Sequence, residues 1–84
     1  MKHKFDLSLL RAKGYEYSTK KEIHLVKRPL TSTEEPNKIR RELTALFSNI
    51  AIVDEYTSYY LDNPTKYGVV MFKVLTEEEE ELRK

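Results

Sequence analysis

The sequence predicts a small α+β domain: a central amphipathic helix packed on an antiparallel sheet that includes a C-terminal β-hairpin, followed by a short acidic terminal helix. Two patterns lead there. Ile39, Leu43, Leu46, Phe47 and then Ile50 recur at helical spacing and share one stripe, while Lys38, Arg40, Arg41 and Glu42 face elsewhere. Ile50 to Val74 is instead rich in Ile, Val, Tyr and Thr on either side of a turn-forming stretch, as two paired strands would be. Length sets the scale: 84 residues make a single domain, here 1–84, and a domain this small buries roughly 60–65% of the surface its unfolded chain exposes.

Taken in order, residues 5–13 fit two patterns, since Phe5, Leu7 and Leu9 alternate while Phe5, Leu9 and Ala12 are spaced for a helix. Helix-forming Leu, Arg, Ala and Lys, an N-cap at Asp6 and a C′ glycine at Gly14 tip the reading toward a short helix. Tyr15 to Arg28 reads as extended, with a bend near Ser18–Lys21, because one straight strand of that length would outrun a domain of this size. If Ile23 and Leu25 face the core, Glu22, His24 and Val26 point to the other side, which leaves Val26 exposed or covered by a partner, and Pro29 is expected to end the strand. The central helix starts within 31–37, with Thr33 as N-cap, and stops near Ser48-Asn49. The hairpin runs Ile50–Leu61, a turn over Asp62–Gly68, then Val69–Leu75, whose second strand is apolar on both faces and therefore central or covered by a partner chain. Thr76 caps a helix over residues 77–84 whose five glutamates suit its N-terminal dipole.

With 39% hydrophobic residues and no cysteine, neither disulfides nor thiolate metal sites supplement the core, and dimerisation is the remaining supplement. No stretch is long and apolar enough for a membrane span or a signal peptide, so the expectation is a cytoplasmic protein with no membrane partner. His3 and His24 lack metal-ligand spacing, so no metal and no cofactor is expected; His24 beside Glu22 reads as a surface histidine before it reads as a general base.

Charge is what points to function. The net +1 conceals +5 in residues 1–28 and −4 in the remainder. In the basic third, cations alternate with rings, and the candidate nucleic-acid site comprises Lys13, Tyr15, Tyr17, Lys20, Lys21, His24, Lys27 and Arg28. Lysine and arginine neutralise phosphates, while an exposed ring stacks a base for about 1–3 kcal/mol. Four phosphate contacts, from Lys20, Lys21, Lys27 and Arg28, imply a log–log salt slope of about −3 for single-stranded RNA. A second cluster, Tyr56, Tyr59, Tyr60 and Tyr67, surrounds the hairpin, where a ring left outside the core would shield a sheet face, join a dimer interface or stack a base. Glu77–Glu81 reads as a solvated helix or as a tail competing for the basic third.

The small size, lack of cysteine and abundance of Lys, Glu and Tyr resemble the small early and host-takeover proteins of lytic phages of Gram-positive bacteria. That likeness is compositional, and it implies binding of a host macromolecule rather than catalysis. The expectation is thus a non-catalytic RNA-binding module, a homodimer preferring single-stranded or looped RNA. The alternative is an inhibitor or adaptor that binds a host protein, with a small ribonuclease third.

Overall fold

A computed structural model describes residues 2–60 and 62–83. Three helices and four strands follow one another as α1 (Leu7–Ala12), β1 (Glu16–Lys20), β2 (Ile23–Leu30), α2 (Asn37–Leu46), β3 (Ile50–Tyr60), β4 (Asn63–Val74) and α3 (Glu77–Leu82). The strands form one antiparallel sheet in the order β1-β2-β4-β3, so β4, the strand apolar on both faces, is flanked on either side. The molecule measures 44 × 28 × 21 Å, the short dimension being that of a sheet with one layer of helices.

Local chemistry accounts for α1. The Asp6 side chain accepts the Ser8 N–H at 3.0 Å, and the C-terminus closes by the Gly14 N–H to the Arg11 carbonyl and the Tyr15 N–H to the Leu10 carbonyl. Gly14 takes φ +82°, the left-handed geometry this closure requires. The bend expected in the long extended segment is the β1–β2 hairpin turn at Lys21-Glu22, where Lys21 adopts φ 57°.

The core lies between α1, α2 and one sheet face. Leu10, Tyr15, Val26, Leu30, Ile39, Leu43, Phe47, Ile50, Val70 and Phe72 are buried there, which takes in most of the central helical stripe. The N-terminal segment is clipped onto the end of α2 by backbone hydrogen bonds of His3 to Leu46 and Ser48, each 2.8 Å. It delivers Phe5 into a ring cluster with His24, Phe47 and Phe72 at centroid distances of 5.2, 5.3 and 5.6 Å. Buried Asn49 accepts the Phe5 N–H at 2.7 Å, which satisfies a backbone donor that the core would otherwise strand.

Four local expectations are corrected. Val26, not Ile23 and Leu25, is the fully buried residue of β2, because Val26 and Leu30 share the helix-facing parity with Val70 of β4. Pro29 lies inside β2 opposite Tyr67; β1 has already ended at the level of Lys27, so that side of β2 is an edge where the missing N–H breaks no ladder. The N-cap of α2 is Pro36 rather than Thr33, because the preceding residues form a separate turn in which Glu34 folds back on Thr31. The β3–β4 turn is far tighter than 62–68: Tyr60 already faces Asn63, and Asn63, Pro64 and Gly68 belong to β4. The expected end of the first hairpin strand, Leu61, falls outside the described residues, as does Lys84 at the end of the terminal helix.

Gly68 is therefore a seat rather than a turn. A Cβ there would come 2.5 Å from Ile39 Cδ1 and 3.1 Å from both Leu30 methyls, so α2 rests on β4 where no side chain intervenes. Gly68→Val should lower unfolding stability by about 1–3 kcal/mol through overpacking, with Gly68→Ala intermediate. Urea titration checks this, and an unchanged midpoint for Gly68→Val would mean that α2 is not so closely seated.

Candidate functional site

Strand parity divides the side chains between two surfaces of opposite character. On the helix-facing side, Arg28 of β2 reaches Glu34 (3.5 Å) and Glu42 of α2 (3.0 Å), and Lys38 closes on Glu34 at 2.7 Å. The Tyr15 hydroxyl donates to the same Glu42 carboxylate, and the Arg28 guanidinium lies 5.9 Å from the Tyr15 ring centroid. Burial works against the Arg28 charge, but hydrogen bonds to Tyr15, Glu42 and Glu34 outweigh it and hold its pKa above the ordinary arginine value. Burial likewise opposes ionisation of Glu42, yet Tyr15 and Arg28 keep its pKa below the usual carboxylate range. Arg40 pairs with Glu55 of β3 at 3.3 Å, so α2 is tied to β2 and β3 by charge as well as by packing, and Lys66 of β4 holds the turn before α2 by donating to the Glu34 carbonyl at 2.7 Å.

Among the described residues, no helix covers the opposite sheet face. Register places Ile23, Leu25 and Lys27 of β2 there with Tyr67, Val69, Met71 and Lys73 of β4 and Ala51, Asp54, Tyr56 and Ser58 of β3. Val69 is only 2% exposed yet stands apart from the helix-side core, shielded by its neighbours on this face. Leu25 and Met71 are half-buried and adjacent, and Tyr56 is 42% exposed. Register also places five charges on this face, Lys20 and Glu16 of β1, Lys27 of β2, Lys73 of β4 and Asp54 of β3, with Lys27 and Lys73 on the two inner strands next to Leu25 and Met71; Glu22 of the β1–β2 turn approaches Lys73, so three lysines are matched by three carboxylates. Lys27 approaches Glu16 at 3.9 Å and Lys73 approaches Glu22 at 4.0 Å, both long contacts of solvent-facing groups. Lys27 also lies 5.4 Å from the Tyr67 ring centroid.

The eight residues singled out from the sequence are dispersed over this architecture. Tyr15 and Arg28 belong to the helix-side network, with Tyr15 6% exposed. Tyr17 and His24 sit side by side on the same face, the Tyr17 hydroxyl 2.6 Å from His24 Nδ1. His24 is not a surface histidine: it stacks on Phe72 at 5.3 Å and 14°, and burial lowers its pKa. Lys27 is on the open face, and Lys20 and Lys21 end the β1–β2 hairpin. Lys13 closes α1 at the opposite end of β1. What brings Lys13, Lys20 and Lys21 together is the β1 edge alone. The two-sided apolar pattern of Val69–Val74 was the signal for a second, helix-free face, but the candidate site residues were drawn from the basic third and did not include its apolar residues.

Glu77–Leu82 is a capped helix anchored by Lys4 to Glu80 and by Arg83, whose guanidinium donates to the Ile50 carbonyl at 3.0 Å. It thus meets the basic third at Lys4, and its N-terminal residues Thr76 and Glu79 line a cleft with Glu22 and His24 next to the Lys20-Lys21 turn. Among the described residues, no three metal-ligating side chains gather, and no helix is long and apolar enough to cross a membrane. Comparison with protein-family models, curated proteins and solved structures finds no match.

The network fixes two pH responses. Lys38, the Thr31 N–H and Arg28 hold Glu34 at about 2, below its ordinary 4.5. The folded protein therefore takes up this proton later than the unfolded chain; the stabilisation is complete above pH 4.5 and fades as pH falls toward 2. Glu34→Gln should lower the melting temperature at neutral pH and flatten its acid decline over that window; an unaltered acid profile would count against the network. Burial and the Glu42 acceptor push Tyr15 up to about 12, so its contribution is complete below pH 10 and lost between 10 and 12. Ultraviolet titration of the phenols should show a late step that Tyr15→Phe abolishes.

Proposed function

We propose that the chain is a non-catalytic protein-interaction module acting in the cytoplasm, with the open sheet face as its binding surface. The observation that carries this reading is the make-up of that face: an apolar cluster of Leu25, Val69 and Met71, flanked by Tyr56 and Tyr67, bordered by lysines and carboxylates that balance rather than by a surplus of one sign. Protein interfaces combine a charge-depleted core rich in aromatic residues and methionine with a polar rim. A nucleic-acid interface needs a surplus of positive charge on one surface. The compositional likeness to phage early proteins points to a host protein as the partner class. Against catalysis stands the employment of the strongly shifted groups: Arg28, Glu34, Glu42 and Tyr15 satisfy one another and tie α2 to the sheet.

RNA binding is the second reading, supported by the exposed ammonium groups of Lys13, Lys20 and Lys21 along the β1 edge and by the Tyr67 and Tyr56 rings near Lys27. With Arg28 tied into the helix-side network, three edge lysines imply a log–log salt slope of about −2 rather than −3.

Capture from nuclease-treated host lysate, followed by titration with the purified partner, separates the two. The protein reading expects a partner that survives ribonuclease, binds in purified form and is lost with Met71→Lys but not with Lys13→Glu/Lys21→Glu. Binding of purified single-stranded RNA that is insensitive to Met71→Lys and abolished by the lysine reversals would replace it with the RNA reading.

A further inference from the structure

We propose that a second copy of this chain occupies the open face, the two sheets stacking about a two-fold axis that runs along the strands. This rests on the protein-interaction reading and names the partner. Area is the first support. A compact monomer of 10.0 kDa exposes about 5,200 Å², whereas this chain exposes 5948 Å². The surplus of about 700 Å² is close to the roughly 800 Å² that each partner loses in a standard interface.

Charge is the second support. A face carrying one sign would repel its own copy, but here three lysines are offset by three carboxylates. A two-fold axis along the strands sets β2 over the second copy's β4 and β1 over its β3, with each row of residues facing the same row reversed. The row Ser18, Leu25, Met71, Asp54 then meets Asp54, Met71, Leu25, Ser18 of the second copy, so that apolar centres meet and Asp54 faces a serine hydroxyl. No like charges are opposed in any row. Lys20, one row along, comes diagonal to the second copy's Asp54. Antiparallel sheets stack in this way about 10 Å apart, with strands rotated by roughly 30°.

Lys20 and Asp54 provide a test that does not depend on the core. Within one chain they lie on opposite edges of the sheet, three strand spacings or about 14 Å apart, so coupling between them arises between copies. Sedimentation equilibrium on the full chain across micromolar to hundreds of micromolar concentrations should show a monomer–dimer equilibrium. Met71→Lys should raise its dissociation constant at least about tenfold. Asp54→Lys should weaken it several-fold, and Lys20→Asp/Asp54→Lys should restore it toward wild type, with circular dichroism showing that each variant folds. Wild-type protein monomeric throughout, or a dimer indifferent to Met71→Lys, overturns the inference; failure of the double swap to restore association overturns the proposed axis. If the chain stays monomeric while a purified partner still binds through Met71, only the second-copy inference falls. If neither association occurs, the protein-interaction reading falls with it.

Discussion

The seating of Ile39 on Gly68 is the contact from which the other arrangements follow. A helix can bury its stripe on a sheet only as deeply as the side chains beneath it allow, and the single position in β4 without a side chain lies directly under the helix. Close approach there brings Glu34 and Glu42 within reach of Arg28, and Arg40 within reach of Glu55, so the ion pairs are consequences of the packing as much as contributors to it. Truncating one partner of such a network leaves the other desolvated without compensation, which makes the network more a specifier of how α2 docks than a large source of stability. Helices α1 and α2 and the Phe5 anchor share one face of the sheet, and the other face is left without a layer.

Periodicity made the helix-side half of this legible and parity obscured the rest. The stripe from Ile39 to Ile50 could be read directly, since a 3.6-residue period admits one apolar face. The capping residues of α1, Asp6 and Gly14, were equally plain because their chemistry is local. Strand β2 was not, for it offers Ile23 and Leu25 on one face and Val26 and Leu30 on the other, an even division that no local count resolves. The tie is broken by residues distant in sequence: Glu34 and Glu42 require a cation, Arg28 supplies it, and Arg28 shares its face with Val26. Gly68 was misread for a related reason, because a glycine near Asn63-Pro64 carries the same local signal whether it serves a turn or the close approach of a helix.

Charge followed the same rule. A surplus of +5 over residues 1–28 describes the chain, not a surface, and folding distributes those cations among partners well removed in sequence. Lys4 goes to Glu80, Arg28 to Glu34 and Glu42, and Lys27 approaches Glu16 across the hairpin. Alternation of strand parity then sends Lys27 and Arg28, neighbours in sequence, to opposite sides of the sheet. The candidate site read from sequence was a contiguous window, and an antiparallel sheet cannot present a contiguous window on one face.

A sheet with one bare face also has two free edges, and their treatment differs from that of the face. On β3 the register slips between Ile52 and Asp54, leaving Val53 half-exposed at a bulge, and the Ile50 carbonyl is occupied by Arg83. Bulges and occupied backbone groups are the means by which edges are kept from pairing with other chains. On β1 the strand is five residues long and ends in Lys20, which is short and charged in the manner of a protected edge. The face between these edges is treated differently: Leu25 and Met71 stand side by side at its centre with Val69 beside them, and the charges next to them, Lys27, Lys73 and Asp54, are of both signs. The protection of both edges beside a face with an apolar centre is the physical reason to look for contacts across the face rather than along the strands.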